Sequence, residues 1–311
     1  MAQSKPATTV IEKQQPKSGI QLTPLSLWRS TPVWVRSMLK NPKAVAGITI
    51  LAIFILMALF ANQIAPTQDP MRIGVGPRGL APSMEYPFGT TRQGQDVFAQ
   101  VVHGAGTTLR VGFLTGVIVM FIAISIGVTA GLVGGFVDEL LSLITNIFLV
   151  LPGLPLVIVI AGWIENPGPD TIILVLGLTS WAWGARVLRS QTLSLRNSEF
   201  VEAARVSGEP VGRIVFVEIL PNMTSLVASS FFGAVLYAIL TESSLSFIGL
   251  GNANEVTWGT ILYWAGNNQA LLTGHWWTFI PPGFAIALVG LSLTMINYAI
   301  DEITNPRLAK E

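Results

Sequence analysis

Six apolar blocks alternate with polar connections along this chain, each near the ~20 residues that cross a hydrocarbon layer as helix. They fall at 44–61, 109–133, 140–163, 171–188, 223–239 (with an apolar continuation to 247) and 281–300. In the second block Gly112, Gly116, Ala123, Gly127 and Gly131, with Gly135 just beyond, recur at helical spacings, four residues apart except for the seven-residue step from Gly116 to Ala123. Small residues at that period let a neighbouring backbone come close. A short turn is expected over 134–139. Pro152 and Pro155 lie inside the third block and free the carbonyls of Phe148 and Leu151. A bend facing protein or a water-filled cavity is expected there. Trp258, Trp264, Trp276 and Trp277 fall in the connection 248–279 and suit a membrane-interface belt.

The connection between the fourth and fifth blocks has its own pattern. Ser198 is positioned as an N-cap whose hydroxyl takes an orphan amide, with Glu199 at the positive end of the helix dipole. Gly208 can take the left-handed conformation that stops the first short helix. Pro210 can open a second, since a first-turn residue needs no amide hydrogen. Val211, Ile214, Val215 and Ile219 then share one face, and Pro221 is expected to end that helix. No residue here bears catalytic chemistry. The pattern is that of a surface gripped by a partner.

Charge orients the blocks. Lys5, Lys13, Lys17, Arg29, Arg36, Lys40 and Lys43 lie in the polar tail 1–43, and Arg186, Arg189, Arg196, Arg205 and Arg213 flank or fill the gripped connection. Arg307 and Lys310 follow the last block, so only Arg72, Arg78, Arg92 and Arg110 fall on the other side of a six-span topology. The excess of basic residues on the cytoplasmic side puts both termini and the 189–221 loop inside. The connection after the first block, within 44–108, and the segment 252–279 are then external. The hydrophobic stretch starts too far from the N-terminus for a secretory signal, so an uncleaved cytoplasmic tail is expected.

Composition narrows the class. The chain has 311 residues, 51% hydrophobic and 11% charged, with mean hydropathy +0.59. Soluble domains carry about 25% charged residues. A net charge of +1 gives no nucleic-acid footprint. With no cysteine and only His103 and His275, thiolate chemistry and multi-histidine metal sites are excluded. No Gly-Lys dipeptide exists to form a phosphate-binding loop, so the chain is not an ATPase by that route. Neither histidine lies near a nucleophile-elbow motif. An intramembrane hydrolase and a non-transporting assembly factor are the readings from other classes.

Glu202-Ala203-Ala204, then Gly208, then Ile219-Leu220-Pro221 resembles the loop of membrane subunits of ABC importers. The likeness extends through Phe88 to Asp96, Gly104 to Leu109, Gly131 to Asp138, Leu240 to Gly251, Trp258-Gly259 and Asn305-Pro306-Arg307. It covers about residues 36–308 and points to the "C"-type partner in the dipeptide, oligopeptide and nickel branch. The resemblance implies an all-α, type I ABC importer permease fold with six transmembrane helices, spanning the bacterial or archaeal inner membrane. A core of 109–303 and a C-terminal tail 304–311 complete the expected organisation. It implies no catalytic residue, no metal and no cofactor of its own, ATP and magnesium being bound by partner ATPase subunits. A homologous permease forming a heterodimer and an external solute-binding protein are the other implied partners. Ser198, Glu199, Glu202, Ala203, Ala204, Gly208, Leu220 and Pro221 would form the ATPase-coupling loop. Peptides, nickel complexes and oligosaccharides are all substrates of similar permeases. Thr91 and Gln95 replace an Asp and an Arg usual in the family, Leu143 and Asn146 stand near another such pair, and Asn252–Glu255 replaces a Pro-rich run.

Glu242 is the one ionisable residue expected at or near a span's end. At a bilayer centre such a group costs about 2.5–3.5 kcal/mol on insertion scales, so it turns inward. It either lines a translocation path, with Ser243, Pro152 and Pro155, or is an interfacial carboxyl satisfied by Ser243, Ser244 or backbone.

Overall fold

A computed structural model describes residues 33–164 and 167–304, with side chains from Ser37 to Ile303. Most of the tail expected over 1–43, and the Asn305-Pro306-Arg307 motif, lie outside these residues. Among the described residues the chain is helical, and its one strand-like feature is an isolated bridge between Thr90 and Asp96. The helices are α1 (Val33–Lys40), α2 (Pro42–Leu59), α3 (Val97–Val133), α4 (Gly135–Val150), α5 (Gly153–Gly162) and α6 (Pro169–Thr179). They continue with α7 (Ala182–Arg196), α8 (Glu199–Val206), the composite α9 (Val211–Phe247), α10 (Trp258–Asn267) and α11 (Ile280–Thr304). Five runs are long and apolar enough to cross a membrane: α2, α3, α6 with α7, α9 and α11. The bent pair α4 and α5 makes a sixth span when counted as one.

Several boundaries differ from those the hydropathy pattern predicts. The second span starts at Val97 rather than near 109, because Asp96 caps it by accepting from the Phe98 amide at 2.9 Å. Burial pushes the Asp96 carboxyl up from its ordinary value, against the lowering effect of the Phe98 and Ala99 amides. The polar residues of this first stretch are buried in protein: Gln100 and Thr108 are enclosed, and Thr108 Oγ1 accepts from the Trp258 amide at 3.1 Å. Trp258 is therefore not part of an interfacial belt. It is wholly buried, edge-on to Phe54, with its indole N–H on the Val101 carbonyl at 3.0 Å. The turn expected over 134–139 shrinks to two glycines at positive φ, Gly134 at 72° and Gly135 at 56°, the second of which already begins α4. The third span breaks at Leu151–Pro152, where α4 and α5 meet at 80°. The fourth span breaks briefly at Ser180–Trp181 and runs on through Arg196.

The glycines of α3 explain the packing. A Cβ at Gly112 would strike Ile239, and one at Gly116 would strike Val235, so the first half of α3 receives α9. At Gly127 a Cβ would land on the Ala185 carbonyl, and at Gly131 on Thr192, so the second half receives α7. Gly127→Val is expected to overpack this crossing at a cost of about 1–3 kcal/mol, read as a lower thermal midpoint in detergent. A midpoint equal to the parent's would contradict the close contact.

The ends of the bundle are distinct. Asn41 Nδ2 donates to Glu302 at 3.0 Å and Lys43 pairs with Glu302 at 3.3 Å, joining the start of α2 to the end of α11. Ser229, midway along α9, bonds Asn297 and Asp301 of α11 at 2.6 and 2.8 Å. At the opposite end, residues 65–96 and 248–279 form one platform. The Trp277 indole donates to the Thr90 carbonyl at 3.0 Å, and Arg92 donates to the Asn268 carbonyl at 3.2 Å.

Candidate functional site: an exposed helix and an open cleft

Helix α8 is eight residues long and is pinned by Val201, which is wholly buried, while Glu199, Glu202, Ala203 and Arg205 face outward and Ala204 is half-buried. Its C-terminus is a two-bond glycine stop. The Glu209 amide donates to the Ala204 carbonyl at 3.1 Å and the Gly208 amide to the Arg205 carbonyl at 3.0 Å. Gly208 has φ 77°, and no heavy atom would lie within 4 Å of an added Cβ. Backbone conformation alone, not space, calls for glycine here. Ser198 occupies the cap position, but its hydroxyl does not cap the helix: it donates to the Leu195 carbonyl at 2.5 Å. The end of α7 competes successfully for that hydroxyl.

The second helix departs from expectation more. Pro210 is the cap residue rather than the first helical residue, and Pro221 does not end the helix. After Val211–Arg213 the chain winds as a π-helix over Ile214–Ile219, tightens to a 3₁₀ turn over Leu220–Met223, and continues as α-helix to Phe247. The wide turn brings Ile214 and Ile219, five residues apart, onto one buried face, whereas Val211 is exposed. A π-turn relaxes the clash a proline ring makes with the preceding turn, which lets the chain pass Pro221 without stopping. Leu220 is half-buried and Pro221 exposed.

Beside α9 lies an open cleft of about 660 Å³. Its walls come from α3, the α4–α5 break, α6, α7, α9 and α11. Thr179, Ser180, Ser229, Ser230 and Asn297 supply polar atoms, while Phe148, Trp183 and Tyr237 supply aromatic surface. No lining residue is charged. The α4 wall is tied to α7 by polar clamps: Arg189 donates to both carboxylate oxygens of Asp138 at 2.5 and 2.7 Å, and Arg186 to Asn146 at 2.7 Å. The break that borders this cleft leaves Pro152 and Pro155 exposed, with Pro155 in the first turn of α5.

Glu242 does not line the cleft. It is 1% exposed, with Ser246 Oγ donating to Oε1 at 2.9 Å and Ser243 Oγ to Oε2 at 3.3 Å. Sequence reasoning missed the cleft-lining residues, although Ser229, Gly233 and Tyr237 repeat at four-residue spacing along α9. The two histidines are apart from both features. His103 Nε2 bonds the Ala65 carbonyl at 2.9 Å and His275 Nδ1 the Thr273 hydroxyl at 2.7 Å. Among the described residues neither ring is hydrogen-bonded to a serine.

Residues 123–310 match the family described as binding-protein-dependent transport system inner membrane component. The chain belongs to this family. Residues 26–82 match a second model, the N-terminal transmembrane domain of oligopeptide transport permease C. Relatives include the dipeptide transport system permease protein DppC of Bacillus subtilis, 31% identical over 97% of this chain and 93% of that protein. The oligopeptide transport system permease protein OppC of the same organism is 31% identical, covering 92% of each chain. The helical arrangement resembles that of the MetNI methionine ABC transporter in inward facing conformations, with TM-score 0.52 and 20% identity. That likeness covers 66% of this chain and 94% of the other, and carries the fold. Within the family's bounds lie α4 to α11, including the exposed helix and most of the cleft.

Proposed function

We propose that this chain is the permease subunit of an ATP-driven importer of peptides, contributing half of a translocation path in a bacterial or archaeal inner membrane. A homologous permease closes the open side of the cleft. Cytoplasmic ATPase subunits, which bind ATP and magnesium, grip α8 through Glu202, Ala203 and Ala204, with Ser198, Glu199, Gly208, Leu220 and Pro221 framing that surface. An external solute-binding protein docks on the platform formed by 65–96 and 248–279. The observation that carries this reading is one juxtaposition: the continuous helix α9 bears the capped, exposed α8 at one end and the uncharged cleft along its side. Closure of the ATPases would rock α8 and, through α9, switch the cleft between outward and inward access. Glu242 and Ser243 stay outside this proposed path, and Pro152 with Gly153 shapes its edge.

Co-reconstitution with the paired permease, the ATPases and the binding protein is expected to give ATP-dependent uptake of a dipeptide into vesicles. Uptake without ATP, or none with it, would count against the importer reading. The cysteine-free chain also permits a sidedness test. Both termini and the 189–221 loop are assigned to the cytoplasm on the basic-residue bias. Ser207→Cys should resist an impermeant thiol reagent in intact cells, whereas Gln68→Cys and Asn267→Cys should react. The reverse pattern inverts the topology.

A further inference from the structure

The buried carboxyl of Glu242 lies where three elements meet. On α9, Ser243 and Ser246 donate to it. The Thr257 hydroxyl, which caps α10 by accepting from the Thr260 amide at 3.1 Å, is turned toward the same carboxyl. Thr260 closes a reciprocal box by accepting from the Thr257 amide at 2.9 Å. Next in sequence, Trp258 is bonded to Thr108 and Val101 of α3. Backbone approach completes the joint: a Cβ at Gly259 would lie 2.8 Å from Ser243 Cα and 2.9 Å from its carbonyl oxygen. A Cβ at Gly251 would meet Ser246 Oγ at 2.6 Å. Among the described residues, the groups that interact with the carboxyl are hydroxyls and none is a cation. A buried carboxyl held by two hydroxyls of its own helix, and faced by the cap residue of the next, is costly to place and is strongly directional once satisfied.

We propose that Glu242 is a positioning residue that locks the outer platform to the far end of α9. Docking of the binding protein is then transmitted along the 37-residue helical run, through its 3₁₀ and π turns, to α8. This inference rests on the importer reading above. It assigns Glu242 a role in coupling rather than in contact with substrate. The platform has its own attachments through Trp277 to Thr90 and Arg92 to Asn268, so loss of the lock should spare the docking surface.

The test uses the full reconstituted complex and the transporter's binding protein loaded with the dipeptide Ala-Ala. It reads the ratio of stimulated to unstimulated ATP hydrolysis and the Kd of the binding protein. Glu242→Leu, which strands the buried hydroxyls, should lower the ratio roughly tenfold with Kd unchanged. Glu242→Gln, which keeps the shape and can still accept and donate, should restore most of the ratio. Gly259→Ala forces α10 off Ser243 without touching the carboxyl and should also lower the ratio, which decides the matter if the leucine variant does not assemble. A parent-like ratio in Glu242→Leu, or in Gly259→Ala where that variant decides, overturns the proposal. So does a weakened Kd matching the loss of stimulation, because the residue would then only maintain the platform. A parent complex that shows no stimulation removes the importer reading itself, and this inference with it.

Discussion

Gly208→Val is expected to abolish ATP-dependent uptake while leaving membrane insertion and span count intact. The physical chain is short. Gly208 sits at φ 77° with open space around it, so valine is excluded by its backbone conformation and not by a clash. Holding a β-branched residue there costs about 1–2 kcal/mol, which the chain can avoid by unwinding the stop. That sum is small beside the packing of α3 against α7 and α9, so the bundle should survive. It is large for α8, whose eight residues are fixed by buried Val201 at one point and by the amides of Gly208 and Glu209 at its end. Glu202→Lys should reach the same phenotype differently, by reversing an exposed charge on the gripped face without disturbing the fold. Uptake in vesicles and hydrolysis stimulated by loaded binding protein are the two measurements. If both inner-end variants transport like the parent, α8 is not the coupling element.

How far the sequence carries this picture depends on what each residue answers to. The stop at Gly208 is a local matter of backbone conformation, and it is found as expected. The crossing sites at Gly112, Gly116, Gly127 and Gly131 were also legible, because small residues at a helical period have one economical use inside a membrane. Which helix each glycine receives was not legible, since that depends on α7 and α9 docking on different halves of α3. The start of α3 was misread because Gln100, Thr108 and their neighbours look like loop by composition. The Thr108 hydroxyl is satisfied by the Trp258 amide and the Gln100 side chain by Met71, partners too distant in sequence to show in the local pattern. Pro221 misled for a related reason. A proline predicts a stop only if the preceding turns are α-helical, and the π-turn over Ile214–Ile219 is a choice made by burying Ile214 and Ile219 together. Ser198 shows the same competition at smaller scale, its hydroxyl drawn to the Leu195 carbonyl. The cleft stayed hidden because its lining is assembled from seven helices, and serines scattered through hydrophobic helices carry no charge to mark them.

Gly233→Trp is expected to block uptake without uncoupling the ATPases, and so to separate the path from the coupling helix. Gly233 lies on the cleft-lining face of α9 between Ser229 and Tyr237, and an added Cβ there meets no heavy atom within 4 Å. An indole can therefore be accommodated without overpacking the bundle, and it must project into the space of about 660 Å³. Replacing glycine within a helix also removes its backbone-entropy penalty, about 1 kcal/mol relative to alanine, so insertion and stability should not suffer. The cleft has no charged residue that could draw a solute past the obstruction, and Phe148 and Trp183 already narrow it with aromatic surface. Dipeptide uptake should fall by at least roughly tenfold, the effect of about 1.4 kcal/mol on a barrier. Hydrolysis stimulated by loaded binding protein should persist, since α8, Gly208 and the Glu242 joint are untouched. Gly233→Ala, which adds only the Cβ already shown to fit, should transport like the parent. Unimpaired uptake in the tryptophan variant would mean that solute passes elsewhere, and the assignment of the cleft would be withdrawn.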